Sequence, residues 1–530
     1  MTISAITIQN FKGIREPVRI ELSPITLLFG ANSAGKSTVL QALLYAREIL
    51  GRLNTDPDKT VQGGTAIDLG GFRTMVHKHD LELPIELGFH LDLDGIDLVD
   101  YSNHPESQFA DQLSLDTDSA WVNLSVKWSE RLADAVQADY EVGINGIAFA
   151  RVETNPEDAA SHSVKVNTKH PWLGPRDETD AASAAPLSAK SGTTEGEETS
   201  WETASAAVVG AVRSPARIET LFDELAHVLE AHDLKEMTEV VAFGLIAPGE
   251  YLLSVLGKLR YLGPIREVPE RNYVPALSPD EGRWANGLAA WDWLSSAPRE
   301  KVDDLNAWLS RDDRLGTGYR VEVKRFKELD TDEMLYLGLM QGTDVLDNIS
   351  TIRKGLEALP ARTKIILRQE RDFLPVMPQD VGIGISQLVP VVVSALDAHD
   401  GITVIEQPEL HIHPAIQVGL GDLFISQTQG EEAGDRIFII ETHSEHLLLR
   451  LLRRIREASD SRAVPKLRPE SLAVYYVEAT AEGTEIRRLR VTDEGRFVDQ
   501  WPRGFFEERE KEFFGEPEDL REELKKFFPQ

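Results

Sequence analysis

The string Gly30-Ala31-Asn32-Ser33-Ala34-Gly35-Lys36-Ser37, a complete GxxxxGKS pattern, constrains this chain more than any other feature. It follows the apolar run Ile25-Thr26-Leu27-Leu28-Phe29 and leads into Thr38-Val39-Leu40-Gln41-Ala42-Leu43-Leu44, which has helical spacing. Strand, glycine loop and helix in that order are the context in which the pattern binds phosphate. The glycines let backbone N–H groups turn inward, and the helix N-terminus adds partial positive charge. In that frame Lys36 reaches the β- and γ-phosphates and the Ser37 hydroxyl sits on Mg²⁺. Residues 30–38 are thus the expected nucleotide cradle, with ATP and Mg²⁺ as the expected cofactors.

Composition removes several classes of function. There are no cysteines among the 530 residues, which excludes disulfides, thiolate metal sites and cysteine nucleophiles. No apolar stretch approaches the roughly 20 residues that span a bilayer. The start, Met1-Thr2-Ile3-Ser4-Ala5, lacks the pattern of a secretory signal, so the expected compartment is the cytoplasm, with no membrane partner. A formal charge of −32 opposes nucleic acid spread over the whole surface. It leaves room for a local basic patch, and Arg450, Arg453, Arg454 and Arg456, continued by Arg462, Lys466 and Arg468, offer one. The alternative for that stretch is a solvated helix face.

Patterning divides the chain into five parts. Residues 1–153 are β-rich around the glycine loop, with alternating runs such as Ile3–Ile8, Val18–Leu22 and Leu83–Leu91. Residues 154–210 are rich in Ala, Ser, Thr, Glu and Asp, and such a composition predicts a disordered insertion. Residues 211–361 carry helical spacing in pieces and no sustained heptads, so no long coiled coil is expected. Residues 362–480 alternate buried strands with helices, and 481–530 form an acidic, aromatic C-terminal segment.

Three further motifs follow the loop in a set order: Gly382-Ile383-Gly384-Ile385-Ser386-Gln387-Leu388, then Ile402-Thr403-Val404-Ile405-Glu406-Gln407-Pro408-Glu409, then Ile439-Ile440-Glu441-Thr442-His443-Ser444. Together with the loop they resemble the ATP-binding-cassette ATPases of the chromosome-maintenance (SMC) type, the group containing the RecF and overcoming-lysogenization-defect proteins. The resemblance implies an α/β P-loop ATPase head with a mixed β-sheet and an inserted helical region. It makes Ser386 the signature serine facing the nucleotide of a second subunit, so one chain is half of a homodimer or a higher oligomer. Glu406 becomes the acid that supports Mg²⁺, and His443 the switch that senses the γ-phosphate.

One position departs from that pattern. Where the group usually has its catalytic glutamate, this chain has Gln407, and an amide cannot take a proton from water at neutral pH. Either hydrolysis is slow, or Glu409 or Glu406 substitutes. His411-Ile412-His413-Pro414 invites a zinc reading, but two histidines without a third ligand favour a turn. Tyr261-Leu262-Gly263-Pro264-Ile265-Arg266 and Gly495–Phe506 resemble a bacterial ATPase subfamily with a poorly characterised C-terminal domain, similar to the ATPase of the Septu anti-phage system. Arg266 reads equally as a phosphate-facing group or a structural ion pair. The expected function is a dimeric ATP switch that regulates a separate effector, a nuclease in phage defence. The alternative is a DNA-repair or chromosome-maintenance ATPase that holds DNA directly.

Overall fold

The computed structural model describes residues 3–57, 67–96, 116–167, 169–173, 201–205, 231–278, 280–331, 353–397, 400–429, 435–458 and 466–501, with positions 98, 114, 336 and 340 between them. Among the described residues the strands are, in chain order, β1 Ile3–Gln9, β2 Val18–Glu21, β3 Ile25–Gly30, β4 Ile85–Asp92, β5 Ser119–Ser129, β6 Asp134–Ile144, β7 Ile147–Asn155, β8 Asp158–Asn167, β9 Trp201–Ser205, β10 Arg260–Leu262, β11 Tyr319–Lys327, β12 Ala361–Gln369, β13 Pro375–Val376, β14 Gly401–Glu406, β15 Arg436–Glu441, β16 Leu472–Ala479 and β17 Thr484–Leu489. The helices are α1 Lys36–Arg52, α2 Phe72–Met75, α3 Ala231–Gly257, α4 Glu281–Ala285, α5 Leu288–Ser296, α6 Arg299–Ser310, α7 Ile383–Leu396, α8 Pro414–Gln427 and α9 Glu445–Arg456.

The short apolar runs form the central sheet, in the order β10-β14-β15-β3-β16-β17. Its first five strands are parallel and β17 returns antiparallel on β16. Every residue of β3 and β14 is buried, as strands covered on both faces require. Side-chain alternation then feeds two cores. Leu28, Ile402, Val404, Ile437, Ile439, Ala473 and Tyr475 face one, shared with α1, α3 and the antiparallel sheet β2-β1-β4-β5-β6-β7-β8-β9. Ile25, Leu27, Phe29, Ile405, Phe438, Ile440, Leu472 and Val474 face the other, built with α5 to α9. The sheet β11-β12-β13 joins that second core through Val321, Ile365 and Leu367.

The fold is a mixed α/β P-loop head, and its longest described helix, α3 with 27 residues, packs on β5, β6, β7 and α1 instead of projecting as a coiled coil. The part boundaries differ from those expected. β8 and β9 extend the antiparallel sheet from within 154–210, with Val164 and Val166 buried on it. β10 lies inside 211–361 yet pairs with β14 in the central sheet. A break at 480 would split the β16–β17 hairpin. Composition marks where chemistry changes along the chain, whereas strand pairing joins residues hundreds of positions apart. The rest of the low-complexity stretch, at 174–200 and 206–210, the helical run Ile218–Leu225 and the residues after Trp501 lie outside the described residues.

The C-terminal strands reach the loop itself. Gly30 has φ 150°, a conformation open to glycine, and a Cβ there would strike the Val477 carbonyl of β16. Gly30→Ala is therefore expected to cost about 2 kcal/mol of stability, as backbone strain and overlap in a buried strand do. A lower denaturant midpoint at unchanged slope is the readout.

Candidate functional site

Helix α1 begins at Gly35, which has φ 102°, without a side-chain cap and without an acid in its first turn. Its positive end is therefore left for an outside anion. Lys36 folds back over the loop, its Nζ donating to the carbonyls of Ala31 at 2.9 Å and Gly30 at 3.1 Å. The same ammonium lies 3.6 Å from Glu441, and Ser37 donates its hydroxyl to Glu441 at 2.6 Å. Burial lowers the Lys36 pKa, opposed by Glu441 and the neighbouring carboxylates. Thr484 at the start of β17 supports the loop from below, donating to the Ala34 carbonyl at 3.2 Å and filling the space beside Gly35.

Strand register gathers the acids. Glu406 and Glu441 are paired positions at the ends of β14 and β15, and Glu441 in turn pairs with Leu28 of β3, just ahead of the loop. Glu406 accepts a 2.7 Å hydrogen bond from the Tyr261 hydroxyl. Burial first, then the Glu441 charge, pushes its pKa up to about 7. Glu409 accepts from the Thr442 hydroxyl and the His443 backbone N–H, both at 2.7 Å, and burial raises its pKa against those bonds. Burial, then the charge of Lys36, lowers the His443 pKa, and its Nε2 is buried without a hydrogen-bond partner. A neutral, unsatisfied imidazole beside the loop lysine is ready to meet a polar ligand.

Gln407 stands in a left-handed conformation, φ 44°, with its N–H on the Glu441 carbonyl at 2.7 Å. Arg266, only 2 % exposed, donates to the carbonyls of Glu406 at 2.6 Å and Gln407 at 3.3 Å. Burial draws its pKa down to about 10. Arg266 thus faces the backbone of the β14 turn, and neither of the two roles expected for it describes that contact.

The structure brings Lys36, Ser37, Glu406, Gln407, Glu409 and His443 around one loop. Ser386 stands differently. Its side chain is 1 % exposed and donates to the Pro378 carbonyl at 2.6 Å, so the hydroxyl expected to face a phosphate is committed inside this chain. The exposed start of α7 is Gly382 and Ile383 instead. Glu441, Tyr261 and Arg266 were given no firm role by sequence reasoning. For Glu441 a signal existed: like Glu406, it is the acid that ends an apolar strand.

The other candidates resolve into structural contacts. Arg450 and Arg454 bind Asp422 at 3.0 and 2.7 Å, and Arg453 binds Glu457 at 2.7 Å, so the basic face of α9 is largely ion-paired. Exposed positive charge also lies elsewhere, where Arg362 pairs with Glu328 at 2.8 Å but Lys324 and Lys364 have no ion pair among the described residues. Strands β11 and β12 carry seven lysines and arginines against one glutamate, and Lys324, Arg362 and Lys364 are exposed near their outer end beside Phe326. His413 caps α8, accepting from the Ala415 N–H at 3.2 Å. No group of three or more His, Asp or Glu forms a metal cluster among the described residues. The Ser37 hydroxyl with the Glu441 and Glu406 carboxylates is a different case: few hard-oxygen donors, leaving positions for water and phosphate, are what Mg²⁺ takes.

Comparison with known proteins agrees with this geometry. Residues 1–119 match the family described as "AAA ATPase domain", and residues 266–450 match "AAA domain, putative AbiEii toxin, Type IV TA system". Residues 467–515 match a family of unknown function, DUF3696. No curated protein matches the chain. Among solved structures, an SMC head bound to the C-terminal winged-helix domain of ScpA aligns over 92 % of this chain and 98 % of its own, at 10 % identity and TM-score 0.39. The SMC head domain from Thermotoga maritima aligns over 93 % and 100 %, at 10 % identity and TM-score 0.35. The Pyrococcus furiosus SMC head with an extended coiled coil, bound to the C-terminal domain of ScpA, aligns over 92 % and 96 %, at 11 % identity and TM-score 0.36. Central sheet, loop and domain matches together define a P-loop ATPase. No helix among the described residues is long and apolar enough to cross a membrane.

The raised Glu406 pKa has a consequence for stability. The folded protein holds this proton up to about pH 7, while the unfolded chain releases it near 4.5. Stability of the nucleotide-free, metal-free protein therefore falls as pH rises from about 5 to 7 and levels off above. Glu406→Gln should flatten that slope in urea titrations, and an unchanged slope would place the proton elsewhere.

Proposed function

We propose that this ATPase is a slow, dimeric ATP switch that regulates a separate effector protein, a nuclease in anti-phage defence. The observation that carries the reading is an intact phosphate cradle beside a blunted hydrolytic position. Gln407 offers an amide where a base would stand, and Glu409 is engaged by Thr442 and His443. Residues 30–38 hold ATP, with Lys36 on the β- and γ-phosphates. Ser37 and Glu406, joined by Glu441, hold Mg²⁺, which supplies charge neutralisation at the phosphates. His443 meets the γ-phosphate through its unsatisfied Nε2.

Dimerisation is supported by the single copy of each half-site per chain and by the open first turn of α7, where Ile383 is 57 % exposed. Backbone N–H groups at that turn, rather than the Ser386 hydroxyl, face the partner's nucleotide. A separate effector is supported by the state of the acids near the C-terminus. Glu478 pairs with Arg487 at 2.6 Å and Asp499 with Arg490 at 2.7 Å, so these carboxylates are held in ion pairs instead of forming a nuclease centre. The match of residues 266–450 to a toxin–antitoxin domain supports a defence setting.

Lys36→Ala is expected to weaken ATP binding by about 100-fold or more, through loss of a charge-assisted phosphate contact. Gln407→Glu is expected to raise kcat by about tenfold, since a positioned base contributes at least that much. If Glu409→Gln abolishes turnover while Gln407→Glu changes nothing, the base is Glu409.

A second reading, direct contact with nucleic acid, is favoured by the exposed cations of β11 and β12. The double variant Lys324→Glu/Lys364→Glu should then weaken binding of a 30-base-pair duplex by about tenfold and shallow its salt dependence. Anisotropy titrations in which the variant binds like the parent would remove this reading.

A further inference from the structure

We infer that Arg266 and Gln387 are positioning residues for ATP hydrolysis, tying helix α7 to the peptide that presents Gln407. This rests on hydrolysis occurring at the loop of residues 30–38.

Two side chains make the link. Gln387, in the second turn of α7, accepts from the Arg266 backbone N–H at 3.1 Å and donates its amide to the Arg266 carbonyl. The two bonds fix Arg266 as a neighbouring strand would. The guanidinium then crosses to β14 and donates to the carbonyls of Glu406 and Gln407. Its Nε and Nη1 have no hydrogen-bond partner among the described residues, and the carboxylates acting on it are Glu409 and Glu406. Burying a guanidinium with unused donors is unfavourable, and an aliphatic side chain would fill the space at lower cost. What the arginine supplies is a rigid fork on two successive carbonyls.

Those carbonyls flank a strained residue. Gln407, at φ 44°, is held on one side by its N–H to Glu441 and on the other by Arg266. Non-glycine residues persist in such a conformation when their surroundings over-determine it. The same peptide sets where the Gln407 amide points, and with no strong base present, orientation of the attacking water governs the rate. Gly287, at φ 82°, packs directly on the Arg266 side chain and closes the space in which it could swing. The start of α7 is open to solvent, so whatever docks there bears on the hydrolytic peptide through Gln387 and Arg266.

The test uses the full chain with Gln387→Leu, Arg266→Lys, Arg266→Met and, in parallel, Lys36→Ala. ATP affinity, kcat and thermal midpoint are measured for each. Expected are ATP affinities within threefold of the parent, with kcat lowered tenfold or more in Gln387→Leu and Arg266→Met. Arg266→Lys, which keeps the charge and loses the fork, should recover only part of that loss. A purely structural arginine would shift the thermal midpoint alone, with kcat at the parent's value. Should Arg266→Met fail to fold, Gln387→Leu still decides. Parent-like kcat in Gln387→Leu and Arg266→Lys would overturn the inference, as would ATP affinity and kcat falling together. Turnover surviving in Lys36→Ala would instead overturn the site on which it rests.

Discussion

The register of three parallel strands decides what this molecule can do. Glu406, Glu441 and Leu28 share one rung across β14, β15 and β3, so two carboxylates arrive side by side close to where the chain leaves β3 for the loop. Burial disfavours the ionised carboxylate and the neighbouring Glu441 charge adds to that penalty, which is why Glu406 holds its proton up to about pH 7. Lys36 and Ser37 are the only loop side chains bonded to them, both through Glu441. Were Glu406 to lose its proton, Glu406, Glu409 and Glu441 would outnumber Lys36 and Arg266 in charge. Such a site is unfavourable by itself and becomes favourable when a divalent cation and a triphosphate enter together. Binding strength is therefore stored in the mismatch, and the sheet register creates it.

The cradle also depends on residues far along the chain. Phe29, immediately before the loop, packs edge-on against Trp501, which in turn contacts Tyr476 and Phe497. Thr484 supports the loop from the β16–β17 hairpin, and Gly13 and Gly35 are the two positions whose missing side chains admit it. Residues 467–515, matched to a family of unknown function, thus include part of the nucleotide site's floor. The same holds across the central sheet, where Tyr261 of β10 bonds the Glu406 carboxylate of β14 and Arg266, four residues beyond β10, bonds its backbone carbonyl.

How much of this was legible follows from sequence separation. The loop is eight contiguous residues whose backbone needs are local, and it reads directly. β14 and β15 read as apolar runs ending in acids because a strand covered on both faces has no polar positions to spare. Glu441 was visible by the same rule, yet its partnership with Ser37 spans 404 positions and belongs to the ladder. Arg266 and Gln387 are separated by 121 positions and share no motif. Ser386 shows the opposite failure: its place at a helix start suggested a ligand, but burial against Pro378 gave its hydroxyl a partner within the chain. The arginines of α9 followed the bland course, because Asp422 and Glu457 lie within reach one turn or one helix away.

What the structure adds is a division of labour among four neighbouring positions. Glu406 shares the buried charge with Glu441, and Gln407 carries the orienting amide. Pro408 cannot donate a backbone hydrogen bond, and Glu409 spends its carboxylate on Thr442 and His443. That last contact couples the two ends of the reaction centre, since moving His443 toward or away from a γ-phosphate pulls on Glu409 and on the turn that positions Gln407. A base that also serves as an anchor abstracts a proton only by releasing its load. In the switch proposed above, Gln407 cannot take the proton and Glu409 is held by Thr442 and His443, so turnover would wait on rearrangement of the turn, a step open to control by a partner. On that proposal, slow hydrolysis and regulation would have one physical origin.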